Sequence, residues 1–280
     1  HTRLVSDWSS DVCSSDLIMG KAILYFIISL SATTAGALTG IGGGVIIKPV
    51  LDILKDYNVE TISLLSSITV LTMSLVSVAK HVQQKTQINF TIALPLALGS
   101  IAGGFIGQRL LKSIVNLLNL DRLILVIQNF LLAALIFVVF FYMLNKNKIK
   151  SHHYEGTTSC LIIGVFLGII SSFLGIGGGP INVAIFIYLF SFDMKTAAVS
   201  SLITILFAQI SKLLTVACTS GFAGFDLSML PAMMIGGIAG GMIGSMLNKK
   251  LPKETVEKGF NAVQGLILFI AIFNILKNIS

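Results

Sequence analysis

Gly40-Ile41-Gly42-Gly43-Gly44 recurs as Gly175-Ile176-Gly177-Gly178-Gly179, shifted by 135 positions. Further along, Ile101-Ala102-Gly103-Gly104-Phe105-Ile106-Gly107 recurs as Ile238-Ala239-Gly240-Gly241-Met242-Ile243-Gly244, shifted by 137. Two matched pairs in the same order and at nearly the same spacing point to an internal duplication. Three consecutive glycines cost roughly 2–3 kcal/mol of helix propensity relative to alanine. Each half therefore carries a built-in break, and whatever this chain folds into has to accommodate two of them.

The solvent in which it folds follows from composition. Of the residues 55% are apolar, only 11% are charged, and the mean hydropathy is +0.92. A soluble domain carries about 25% charged residues, so these few cannot cover a water-facing surface. A bilayer crossing needs roughly 20 apolar residues, which gives about 8 to 10 helices. The apolar runs fall at 21–39, 41–54, 62–82, 90–111 and 121–144, then at 157–173, 176–191, 196–218, 225–247 and 256–277. The expected fold is an all-α, polytopic transmembrane bundle of two homologous repeats, 19–144 and 157–280, joined by an inter-repeat loop at 145–156. Residues 1–18 show no helical or strand alternation and no secretory pattern. They resemble translated adapter sequence and are read as a non-native or disordered leader, with the native start either at Met19 or missing from the sequence.

The first two runs of each half are short and joined by the glycine cluster. They make two crossings, a re-entrant hairpin or one broken helix, so the count is 8 or 10. The loops after 82, 144 and 247 are basic (Lys80, Lys85, Lys146, Lys148, Lys150, Lys249, Lys250) and are placed on the cytoplasmic side. With five crossings per half the repeats are inverted. The basic loop at 112–122 runs against this scheme, and four crossings per half give a parallel repeat.

The net charge of +7 belongs to these short loops and sets orientation. No basic patch interleaved with aromatics exists, so nucleic acid is not an expected partner. The expected partners are a small anion, the lipid bilayer and, as an open arrangement, a second copy in a homo-oligomer. Cys13, Cys160 and Cys218 form no CxxC, His152-His153 sits in a Lys-rich loop without a third ligand, and no metal or cofactor is expected. His-Glu-x-x-His, paired intramembrane Asp and a Ser-His pair at depth are all missing, so the chain is not read as an enzyme.

Glycine has two uses in a membrane. The second glycine pair keeps i, i+4 spacing and reads as a close-packing helix face. The first pair is followed by Pro49 in one half and Pro180 in the other. Pro180 suits the first turn of a new helix. Helix starts are therefore expected near 44–46 and 179–181, within the protein. A helix start offers free N–H groups and about half a positive charge. The expected substrate-binding residues are Gly42, Gly43, Gly44, Lys48 and Ser67 with Gly177, Gly178, Gly179, Asn182 and Ser201. No acid is expected in the middle of any segment, which suits an anion.

These residues resemble the TauE/SafE sulfite exporter family. The likeness rests on the duplicated Gly-x-Gly-Gly-Gly break, the proline after the second one, the Ser66-Ser67 and Ser200-Ser201 segments, and the glycine-rich runs 95–111 and 231–247. It covers residues 20–280 and implies an integral-membrane permease for anions, with sulfite, organosulfonates and related sulfur or carboxylate anions among the substrates. Residues and resemblance together give the expected function as a multi-pass inner-membrane secondary transporter, an exporter of such an anion by alternating access. A membrane-embedded structural subunit and an anion channel are the alternative classes.

Overall fold

The computed structural model describes residues 3–86, 89–118, 121–149, 151, 156–174, 178–219 and 221–279. Among them all regular structure is helical: α1 Arg3–Thr39, α2 Gly44–Leu54, α3 Val59–Gln83, α4 Phe90–Leu118, α5 Asp121–Asn145, α6 Thr157–Leu174, α7 Gly179–Phe190, α8 Met194–Thr219, α9 Leu230–Lys250 and α10 Lys253–Ile279, with one 3-10 turn at Lys146–Lys148. Eight of these are long and apolar enough to cross a bilayer. The other two, α2 and α7, have 11 and 12 residues. At 1.5 Å per residue they reach about 16–18 Å, roughly half of the hydrocarbon core.

Local chemistry sets most boundaries. Asn58 caps α3 by accepting from Thr61 N–H at 2.8 Å, and Asp193 accepts from Thr196 N–H at 2.9 Å at the start of α8. Three boundaries differ from the sequence expectation. α9 starts at Leu230 rather than 225, because Asp226 accepts from Ser228 N–H and turns the chain, and Pro231 then opens the helix. The basic stretch at 112–122 is helix through Leu118, since no glycine or proline interrupts it. α1 takes in residues from Arg3, continuing the first crossing outward from the stretch read as a leader; its apolar, membrane-length part begins at Met19.

The glycine-rich runs lie where helices touch. A Cβ at Gly99, Gly103 or Gly107 would stand 2.2, 2.0 or 2.5 Å from the carbonyl oxygens of Leu161, Val165 and Ile169 on α6. Gly236, Gly240 and Gly244 of α9 meet Ser29, Thr33 and Thr34 of α1 in the same way. Residue numbers rise together along both contacts, so α4 runs parallel to α6 and α1 parallel to α9. Gly103→Val therefore drives α4 off α6. The expected cost is about 1–3 kcal/mol, read as a lowered melting temperature in detergent; an unchanged melting temperature would contradict the packing.

Direction is also readable for the central helices. Lys212, late in α8, donates to Ser63, early in α3. At the other end Lys249 donates to the Gln84 carbonyl and Lys195 donates to the Lys249 carbonyl. α3 and α8 are thus antiparallel. Lys146 at the end of α5 pairs with Glu257 at the start of α10. The basic loops around 84, 146 and 250 consequently share one end of the bundle. The opposite end carries Lys21 paired with Asp56 at 3.3 Å and Tyr57 bonded to Ser228 at 3.1 Å.

Candidate functional site

The first glycine break and Gly178-Gly179, the described end of the second, sit inside the bundle and touch each other. The first leaves α1 at Thr39, passes Gly40 (φ 78°), Ile41 and Gly42 (φ 79°), and enters α2 at Gly44 with Gly43 as cap. Positive φ at two of these positions is open to glycine and strained for other residues. Gly36 O accepts from Gly40 N–H at 2.9 Å and from Gly42 N–H at 3.3 Å, which closes the end of α1. The second break ends at Gly178 (φ 70°), and α7 begins at Gly179 with Pro180 in its first turn. A Cβ on Gly179 would lie 1.3 Å from the Ile41 carbonyl oxygen, so the start of α7 rests directly on the backbone of the first break.

α8 holds the junction. Ser201 Oγ donates to Gly40 O at 2.7 Å and lies 3.5 Å from Gly179 O. Gly40 packs on the Ala198 backbone, and Gly42 on the Ile205 side chain. Ser200 Oγ is buried without a partner, as is Asn182 Oδ1 in the first turn of α7 beside Gly178. The first-turn N–H groups of α2 and α7 are those that a helix leaves outside its own ladder. Gly178, Gly179, Asn182 and Ser201 thus meet the backbone of the first break at Gly40-Ile41, and Gly42, Gly43 and Gly44 follow directly along the chain into α2.

Two expected residues point elsewhere, and one is outside the described residues. Ser67 Oγ donates to Ser63 O at 2.6 Å, one turn back in its own helix. Lys48 is 4% exposed and turns away from the start of α2. Its Nζ donates to Gln128 Oε1 at 2.6 Å and to Leu174 O at 3.0 Å. Gln128 Nε2 in turn donates to Phe173 O at 3.0 Å. The two side chains together satisfy carbonyls that the end of α6 leaves free, just before the second break. Gly177 lies outside the described residues.

The expectation of a carboxylate-free interior needs a correction. Asp52 lies one turn after Lys48 on α2, is 5% exposed, and its Oδ1 has no hydrogen-bond partner. Both residues line a cavity of about 10 Å³ with Pro49, Gln128, Asn129, Leu132 and Leu174. That volume matches one water. The i, i+4 spacing of Lys48 and Asp52 was the sequence signal, and the Gln128-Asn129 pair within an otherwise apolar run was the second. A further cation, Lys212, is 4% exposed and donates to Ser63 Oγ at 2.7 Å and Ser63 O at 3.2 Å. No cluster of three or more metal-ligating side chains occurs among the described residues.

The junction itself presents helix starts, hydroxyls and an amide, while the Lys48 and Lys212 ammonium groups and the Asp52 carboxylate are buried away from it on partners or a cavity of their own. Comparison with known proteins agrees with a membrane-transport setting. A probable membrane transporter protein of Methanocaldococcus jannaschii is 25% identical over 174 residues, 58% of this chain. The match spans 60% of that relative's length. No solved structure matches the chain. The model of the sulfite exporter TauE/SafE family matches residues 25–273, nearly all of the helical bundle including both glycine breaks. The chain therefore belongs to the sulfite exporter TauE/SafE family.

Proposed function

We propose that this protein is a secondary transporter that exports a small anion, such as sulfite, an organosulfonate or a related sulfur or carboxylate anion, across the inner membrane. The reading is carried by the contact between Gly179 and the Ile41 carbonyl, which puts two helix starts at one point inside the bundle. Each offers first-turn N–H groups outside the helical ladder and partial positive charge. Gly42–Gly44 and Gly177–Gly179 hold the anion in this proposal, with Asn182 and Ser201 beside it. Lys48 and Lys212 supply positive potential from a distance, and Ser67 supports α3.

The same contact supports the mechanism in this proposal. With Gly179 on Ile41 the tips leave no room between them, so an anion enters only when α2 and α7 part. Alternating access supplies that motion. The halves are read as inverted repeats, supported by antiparallel α3 and α8 and by pairings that exchange between halves: α4 lies along α6 as α9 lies along α1. The end carrying the basic loops faces the cytoplasm in this proposal.

The test is reconstitution into liposomes and efflux of labelled sulfite and a panel of sulfonates. Gly43→Val and Gly178→Val are expected to reduce saturable efflux by about tenfold or more, the size of a site lost to misplacement. Efflux unchanged in both variants would end the assignment of the anion to the helix starts.

A further inference from the structure

We propose that Asp52 binds a coupling proton, so that anion and proton cross together; this rests on the transport reading above. The site is built from more than the carboxyl group alone. Asp52 is 5% exposed and its Oδ1 is buried without a partner. It shares a one-water cavity with Lys48, Gln128 and Asn129. Lys48 spends two of its three N–H bonds on Gln128 and on the end of α6, so the carboxylate has no direct ion pair among the described residues. A buried, incompletely bonded carboxylate at membrane depth is costly and marks a functional position.

Asp52 also lies near the surface. Asp52 sits one turn before the exposed Lys55-Asp56 pair at the end of the bundle that carries Lys21 and Tyr57. The charged groups facing this region are few. Lys48 stands on the same helix, Lys212 on α8 acts on Lys48, and Lys277 on α10 bonds the Ile53 carbonyl at the surface. Lys21 on α1 is occupied by Asp56, and α5 presents the neutral Gln128 and Asn129.

The sign of coupling follows from charge. A proton from water forms an O–H bond on the Asp52 carboxylate and removes one negative charge. Asp52 lies eight residues along α2 from Gly44, about 12 Å. At that separation two unit charges in protein alter each other's binding by about tenfold. Protonated Asp52 thus favours an anion at the helix starts, and a bound anion favours the proton by the same factor. The O–H bond breaks and the proton returns to water on the side where the anion leaves. Co-movement results, in whichever direction the two gradients together favour.

The experiment uses the full chain in liposomes, with labelled sulfite exchange and sulfite uptake under an imposed proton gradient. Native protein, Asp52→Asn and Asp52→Glu are compared in identical buffers, so that titration of sulfite itself is common to all three. The native chain and Asp52→Glu are expected to respond to the gradient. Asp52→Asn is expected to lose about tenfold of that response, and its remaining exchange keeps only the pH dependence that sulfite itself contributes. An Asp52→Asn protein whose gradient response equals the native one overturns the coupling site while leaving the anion reading intact. Loss of folded Asp52→Asn protein shifts the decision to Asp52→Glu and the native chain: if neither responds to a proton gradient while both exchange sulfite, coupling falls. If the native chain exchanges no anion, both readings fall.

Discussion

Gly179→Val is expected to leave no folded, transport-competent protein. The added Cβ would stand 1.3 Å from the Ile41 carbonyl oxygen and 2.1 Å from its carbon. No flexible side chain is available to move aside; the obstacle is backbone, and that backbone is held by Ser201 through Gly40 O. Overpacking of a core that yields costs about 1–3 kcal/mol. This position cannot yield without separating α7 from the first break, so a cost above about 3 kcal/mol is expected against a total stability of about 5–15 kcal/mol. Size-exclusion profile and thermal unfolding in detergent give the readout. The contrast is Gly265→Ala on α10, where a Cβ meets nothing within 4 Å. It is expected to gain up to about 1 kcal/mol from helix propensity. A Gly179→Val protein as stable as the native chain would mean that the two breaks do not touch.

Lys48→Met carries the second large effect. Three groups lose their partner at once: Gln128 Oε1, Leu174 O and, electrostatically, Asp52. Each buried acceptor left without its charged donor costs about 1–3 kcal/mol, and the carboxylate one turn along loses the cation that offsets its burial. The double variant Lys48→Met with Asp52→Asn is expected to recover part of that loss, since it no longer buries an uncompensated carboxylate. The recovery is measured by a double-mutant cycle on thermal or denaturant unfolding. Additive effects in that cycle would show that the two side chains do not interact and that Asp52 answers to some other group.

Legibility in the sequence followed the range of the interaction involved. The ten apolar segments were readable because hydropathy is a property of consecutive residues, and the helix starts at Gly44 and Gly179 were readable because a run of glycines weakens helix wherever it stands. Ends were less readable where a turn decided them. Asp226 and Pro231 delay α9, and α4 continues to Leu118 through residues that look like a loop by charge alone. Within the site, Ser201 reached the junction, whereas its near-match Ser67 satisfied its hydroxyl on Ser63 O in its own helix. Sequence gives both residues the same chemistry, and only their neighbours distinguish them.

The sequence by itself determined that this chain is a helical membrane protein with two glycine breaks and donors in place of acids through most of its interior, because solvent transfer and backbone propensity act locally along the chain. Tertiary structure decided that the start of α7 rests on Ile41, that Lys48 reaches Leu174 O across 126 residues, and that Asp52 lies beside it in a one-water cavity. Those outcomes depend on which helices pack together. A long flexible side chain such as lysine takes whichever buried acceptor the packing brings within 3 Å, and nothing in its sequence neighbourhood names that acceptor.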